Sequence, residues 1–157
     1  HIALQFLNAW GCRVTAFTSS DDKKQKALSM GAHDVLNTKN PAELTAAAGR
    51  FDLILTTVNV KLDWNAYIAT LRPKGRLHFL GVPLEPLDIN VFPLIANQCT
   101  VSGSPVGSPA GIATMLSFAQ QHKIEPVVEI FRFDQVNEAL ARLSSGQAKY
   151  RVVLSNQ

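Results

Sequence analysis

Apolar and polar positions alternate along this chain in a regular rhythm. "CRVTAFTS", Cys12 to Ser19, is rich in β-branched and aromatic residues and predicts a buried strand. "DDKKQKALSM" follows with helical spacing, acids in its first turn where the helix dipole favours them, and Gly31 as its stop. "HDVLNT" predicts a short strand. Asn40-Pro41 then marks a turn, with Pro41 at the first position of a helix through "AELTAAA". "FDLILTTV", Phe51 to Val58, is apolar on both faces, as a covered parallel sheet requires. "LDWNAYIATL" is a helix ended by "RPKG", and "RLHFLGV" is the next strand. After the proline-rich "PLEPLDINVFP" come a helical turn at "PLIANQ", a strand at "CTVSGSPV" and a helix at "AGIATMLSFAQQHK".

Strands separated by helices of this length predict an α/β fold, a doubly wound parallel sheet joined by crossovers. Past Ile124 the rhythm changes. "VVEIFRF", the helix "DQVNEALARLSSG" and the strand "YRVVLS" form a strand-helix-strand tail of a different packing unit, with Asp134 as the expected N-cap and Gly146 past the helix end. The change of rhythm sets the segment past Ile124 apart from the strands and helices before it. At the other end, "HIALQFLNAWG" has the apolar spacing of a mostly buried helix, yet the chain opens on His1 with no cap or turn before it. The expectation is a piece of something longer.

Composition narrows the function classes. Of 157 residues, 46% are apolar and 17% charged, an ordinary globular balance. The net charge of +3 is mild and its lysines and arginines are scattered, so nucleic acid is not an expected partner. No apolar run approaches the length of a membrane span, and no signal peptide is evident. Cys12 and Cys99 have no metal or disulfide spacing and read as small core residues. A reducing, cytoplasmic setting is expected. His33, His78 and His122 are dispersed, with no metal-ligand spacing. His78 alternates with apolar neighbours on a strand, and lone histidines of this kind are mostly structural. No nucleophile–base motif is present.

The order of motifs resembles the C-terminal part of the medium-chain dehydrogenase/reductase superfamily, most closely its zinc-dependent, NADP-using alcohol dehydrogenases of the cinnamyl alcohol dehydrogenase kind. "KALSMGAHDVLNT", "FDLILTTV", "LRPKGRLHFLGVP", "VSGSPVGS" and "FRFDQVNEALARLSSGQAKYRVVL" follow in the family's order and spacing. The resemblance implies a Rossmann-type coenzyme domain over 1–108 and a returning segment, 109–157, that packs with a catalytic domain. It also implies that a strand and a G-x-G-x-x-G turn stand before His1, so that the sheet lacks its first strand here. The implied activity is hydride transfer between NADP(H) and an alcohol or aldehyde. Zinc is expected in the parent protein, with no ligand and no catalytic group in this chain. The alternatives are a zinc-free quinone or enone reductase of the same superfamily and a non-catalytic nucleotide-binding module.

Dinucleotide-binding sheets commonly carry an acid at the tip of the second strand, where it holds the ribose hydroxyls and repels a 2′-phosphate. Thr18, Ser19 and Ser20 stand there instead, with Lys23 one turn on to supply a point charge. By resemblance these residues bind the 2′-phosphate of NADP(H). The plainer alternative makes Ser20 a helix cap and Lys23 a solvated charge. Asp21 and Asp22 oppose the lysine unless they turn away. The resemblance further implies that Thr57 and Val58, Gly81 and Val82, and Ser102, Gly103 and Ser104 line the nicotinamide and its ribose. It implies that Arg151 reaches the coenzyme phosphates. Finally, Thr100–Val106 is the expected edge strand of a homodimer, although Pro105 lacks a ladder donor.

Overall fold

The computed structural model describes residues 1–156. In chain order the elements are α1 (Ile2–Ala9), β1 (Thr15–Thr18), α2 (Lys24–Ser29), β2 (Asp34–Asn37), α3 (Pro41–Ala46), β3 (Phe51–Thr56) and α4 (Trp64–Ala69). There follow β4 (Leu71–Phe79), α5 (Val91–Asn97), β5 (Thr100–Gly103), α6 (Pro109–Gln121), β6 (Val128–Arg132), α7 (Val136–Ser144) and β7 (Arg151–Ser155). Short 3-10 turns precede α2 and α7, at Asp21–Lys23 and Phe133–Gln135. The expected parallel α/β class is present. β3 pairs with β4, β4 with β5 and β6 with β7, all parallel. The strands are shared among sheets ordered β1-β2, β3-β4-β5 and β6-β7. In the doubly wound order the first strand stands between the second and the fourth. Here β1 pairs with β2 alone and β3 with β4 alone.

The chain packs as two compact units. One comprises Phe17–Asp21 and Leu36–Pro109; the other comprises His1–Ala16, Asp22–Val35 and the chain from Ala110.

In the unit holding β3-β4-β5, the core is Ile54, Trp64, Tyr67, Ile68, Leu71 and Leu77, with Phe17, Phe51 and Phe79 packed against it. Leu77 is 0% exposed at the centre of the sheet. Burying such a side chain contributes about 2 kcal/mol. Phe17 meets Phe51 edge-on at 5.2 Å, and Trp64 meets Phe79 likewise at 4.9 Å. Side-chain caps start the helices: Asn40 accepts from Ala42 N–H, Asp63 from Ala66 N–H and Asn90 from Phe92 N–H.

Three expectations need correction in this unit. "RPKG" does not lie outside the strand: β4 runs through it, with a register jump from Phe51↔Leu71 to Leu53↔Arg76. Lys74 takes φ 65 there, and a Cβ on Gly75 would come within 2.8 Å of the Arg72 carbonyl oxygen. The segment is therefore a bulge that only glycine fits. β3 is covered on the Ile54 and Thr56 side, but Leu53 is exposed, so its apolar character does not mean burial on both faces. β5 ends at Gly103, short of Pro105, whose missing N–H cannot extend the ladder.

In the other unit, Phe6 of α1 stacks on Phe118 of α6 at 5.8 Å, and Phe118 stacks on His122 at 4.2 Å. Gly31 adopts φ 100, and a Cβ there would meet Asn8 Cβ at 3.0 Å, so the chain closes on α1 only through glycine. α1 itself is half-buried, not mostly buried, and Trp10 is 61% exposed. Cys12 is likewise exposed rather than core, because it sits in the turn after Gly11, ahead of β1. Asp134 is not the cap of α7. It lies inside the preceding 3-10 turn and pairs with Arg132 at 2.6 Å. Gly146, at φ 67, does follow α7 as expected. β6 and β7 are tied by Glu129, which accepts from Arg142 Nε at 2.9 Å and from Lys149 N–H at 2.6 Å.

Candidate functional site

The carboxyl ends of β3, β4 and β5 converge through backbone contacts. The Thr56 carbonyl accepts from the N–H groups of Leu80 (2.8 Å) and Gly81 (3.0 Å), while the Phe79 carbonyl accepts from Ser104 N–H at 3.3 Å. Gly81 lies flush against the preceding strand end. A Cβ there would collide with the Val58 carbonyl oxygen and stand 2.7 Å from that of Thr57. Glycine is required at this crossing because backbone meets backbone. Thr57, Val58, Gly81, Val82, Ser102, Gly103 and Ser104 thus cluster at one edge of the sheet, the edge where open α/β sheets bind ligands. An open cleft of about 390 Å³ lies beside them, lined by Phe79, Gly81, Val82, Pro83, Leu87, Val101 and Gly103 among others. Its walls are mostly apolar, which suits one face of a flat ring.

Sequence reasoning missed a polar constellation at this edge. His78 Nδ1 lies 2.9 Å from Ser102 Oγ, and its Nε2 lies 3.0 Å from Ser104 Oγ. His78 and Ser102 are direct partners in the β4-β5 ladder. A signal was present: "SGS" puts two hydroxyls on one face of a strand by period-two alternation. What the sequence lacked was the register that sets His78 opposite them.

The tip of β1 is closed by its own hydroxyl. Thr18 Oγ1 donates to the Ser20 carbonyl at 3.1 Å and accepts from Ser20 N–H at 3.3 Å. Thr38, just past β2, donates its N–H to the Thr18 carbonyl at 2.8 Å. Ser19 is exposed, while Ser20 Oγ is buried without a hydrogen-bond partner. An unpaired buried hydroxyl is costly. Asp21 turns to Asn37, whose Nδ2 donates to Asp21 Oδ1 at 3.1 Å. Ser20 does not cap α2 directly, since a 3-10 turn intervenes and Lys23 is the residue ahead of the α-helix.

Lys23 is exposed in that turn, and Arg151 is exposed at the start of β7. Both belong to the unit that holds α1 and α6, whereas every other predicted site residue belongs to the unit that holds β3-β4-β5. Among the described residues, no group of three or more His, Cys, Asp or Glu side chains is placed to hold a metal ion. No helix among them is long and apolar enough to cross a membrane.

Parallel α/β pairing, with glycine and backbone groups converging at the carboxyl ends of β3, β4 and β5, defines a Rossmann-type domain. Comparison with known proteins makes this specific: residues 1–121 match the family model described as zinc-binding dehydrogenase, and the chain belongs to that family. It corresponds to the family's coenzyme-binding region. The chain is 62% identical over 156 residues to aldehyde reductase AdhA of a Synechocystis species, covering 99% of this chain and 46% of that protein. Its fold matches the cinnamyl alcohol dehydrogenase of Sorghum bicolor with TM-score 0.90 and 34% identity, over 97% of this chain and 43% of that one. It also matches a Helicobacter pylori enzyme described as CAD complexed with NADP(H), with TM-score 0.80 and 29% identity, over 97% and 43%. The chain thus spans less than half the length of these relatives.

Proposed function

We propose that this chain is the coenzyme platform of an NADP(H)-dependent alcohol dehydrogenase or aldehyde reductase. The observation that carries the coenzyme choice is the tip of β1. Ser19 is exposed there, Ser20 Oγ is buried and unsatisfied, and one oxygen of the adjacent Asp21 carboxylate accepts from Asn37. The exposed Ser19 hydroxyl is the donor assigned to a 2′-phosphate there, with one oxygen of Asp21 drawn toward Asn37. Lys23 and Arg151 are the cations assigned to the coenzyme phosphates. Thr57, Val58, Gly81, Val82 and Ser102–Ser104 are assigned to the nicotinamide and its ribose, through a surface that glycine keeps flat. NADP(H), when bound, supplies or takes the hydride. The residues of this chain bind and orient it, and the substrate pocket and zinc of the whole protein lie on other residues. The name of the Synechocystis relative and the NADP(H) in the Helicobacter structure support this assignment.

The test is a fluorescence titration of the whole protein with NADPH and with NADH. Tighter binding of NADPH is expected, and equal affinities would overturn the 2′-phosphate assignment. We further propose a homodimer through β5, whose outer edge has no strand partner among the described residues. The neighbouring α5 presents Val91, Phe92 and Ile95 to solvent, and Val106 just beyond β5 is 91% exposed. A second copy would cover these groups. A cytoplasmic setting is consistent with the free thiols of Cys12 and Cys99.

A further inference from the structure

We infer that His78 is a positioning residue for the nicotinamide end of the coenzyme, acting through the hydroxyls of Ser102 and Ser104. This rests on the coenzyme assignment above and names a residue that the assignment did not include.

The geometry is that of a clamp. Leu77 is fully buried and Phe79 packs on Trp64, so alternation along β4 sends the intervening His78 to the opposite face of the sheet. On that face Ser102 stands beside it in register, and Ser104 follows two residues on, past the end of β5. The imidazole bridges both, at 2.9 Å and 3.0 Å. On the other face, Gly103 sits against the Phe79 carbonyl, with room for a Cβ only at 3.3 Å. The turn that leaves β5 is therefore held from both sides. Without the imidazole, Ser104 would keep a single long backbone bond to Phe79 as its tie to β4.

The clamp also orders protons. A neutral imidazole has one N–H donor and one acceptor nitrogen. One serine must donate its hydroxyl hydrogen to the acceptor nitrogen, and the other must accept from the N–H. Whichever tautomer is present, one hydroxyl hydrogen is tied to His78 and the other remains free. The edge thus offers a ligand one oriented O–H donor rather than two freely rotating hydroxyls. A carbonyl oxygen, such as that of a carboxamide, is the acceptor chemistry it suits. Orienting the donor before the ligand arrives lowers the ordering cost of binding.

The test uses the whole protein and two ligands: NADPH, and adenosine 2′,5′-bisphosphate, which has the phosphate end of the coenzyme but no nicotinamide. His78→Phe keeps a ring and removes both nitrogens. It is expected to weaken NADPH roughly five- to tenfold, the scale of one or two hydrogen bonds, and to leave the bisphosphate unchanged. His78→Gln, which retains a donor and an acceptor, is expected to recover part of the loss. Ser104→Ala is at an exposed position and provides a variant that does not depend on the strand interior. It should produce the same selective weakening. The double variant should bind NADPH no more weakly than the weaker single one, because both substitutions break one unit. Unchanged NADPH affinity in both single variants would overturn the inference. So would parallel weakening of both ligands, which marks a role in the fold alone. If the unsubstituted protein binds neither ligand, the coenzyme assignment itself fails.

Discussion

Asn37 donates its side-chain amide to Asp21 at 3.1 Å, turning that carboxylate toward β2 at the very tip where a coenzyme phosphate is proposed to bind. The carbonyl of the same amide accepts from Lys39 N–H at 3.0 Å. Asn37→Asp would keep that acceptor, remove the donor, and set a second carboxylate beside Asp21. NADPH affinity should fall relative to NADH by roughly fivefold, the scale of about 1 kcal/mol for exposed charges a few ångströms apart. Paired titrations at low salt measure the ratio. A ratio identical to that of the unsubstituted protein would separate Asp21 from the specificity of the site.

Gly81→Ala tests the crossing of strand ends. The added methyl would press on the carbonyls of Thr57 and Val58, which are main-chain atoms and cannot rotate aside. Destabilisation by about 1–3 kcal/mol is expected, as for overpacking elsewhere. Urea unfolding measures it, and coenzyme affinity should fall with it because the surface is no longer flat. Gly146→Ala is the contrast: its φ of 67 strains any side chain, but nothing lies within 4 Å of the added carbon, so the loss there is conformational and not a collision.

Acid stability should depend on Glu129. The Arg142 guanidinium bonded to it, and then the Lys149 N–H, hold its carboxyl below the ordinary glutamate value. A carboxyl lowered on folding stabilises the native state at neutral pH. That contribution is lost as the pH falls from the ordinary carboxylate range through the lowered native value. Glu129→Gln should therefore be less stable than the parent at pH 7, and the difference should shrink towards pH 3. Denaturant midpoints for the two proteins across that range check it; a constant gap would exclude the linkage.

Association through β5 should respond to charge at the exposed apolar face. Phe92 is 75% exposed on α5, and Phe92→Asp removes apolar surface there without disturbing a buried residue. Light scattering should show a shift from dimer towards monomer in the substituted whole protein. A dimer of unchanged strength would place the interface elsewhere.

Much of the architecture is legible in the residues themselves. The β-branched runs, the Asn40-Pro41 cap and Gly31 each specify a local conformation, because backbone preference and side-chain capping act within a few positions. The absence of an acid at Thr18–Ser20 is equally local, and it is enough to raise the coenzyme question. The order of motifs places the chain in its family for the same reason: spacing is a property of the chain alone.

What the sequence could not supply is anything that depends on two distant segments meeting. That Gly81 touches Thr57 and Val58, that Asn37 occupies Asp21, and that His78 stands across from Ser102 and Ser104 are all consequences of strand register and turn closure. A one-residue slip would turn His78 to the other face, so no local pattern determines its partners. The bulge at Pro73–Gly75 and the early end of β5 show the same division. The chain by itself determined its elements, its family and the hydroxyl tip of β1. Only tertiary structure decided which side chains face one another, because those pairings depend on how the sheet aligns its strands.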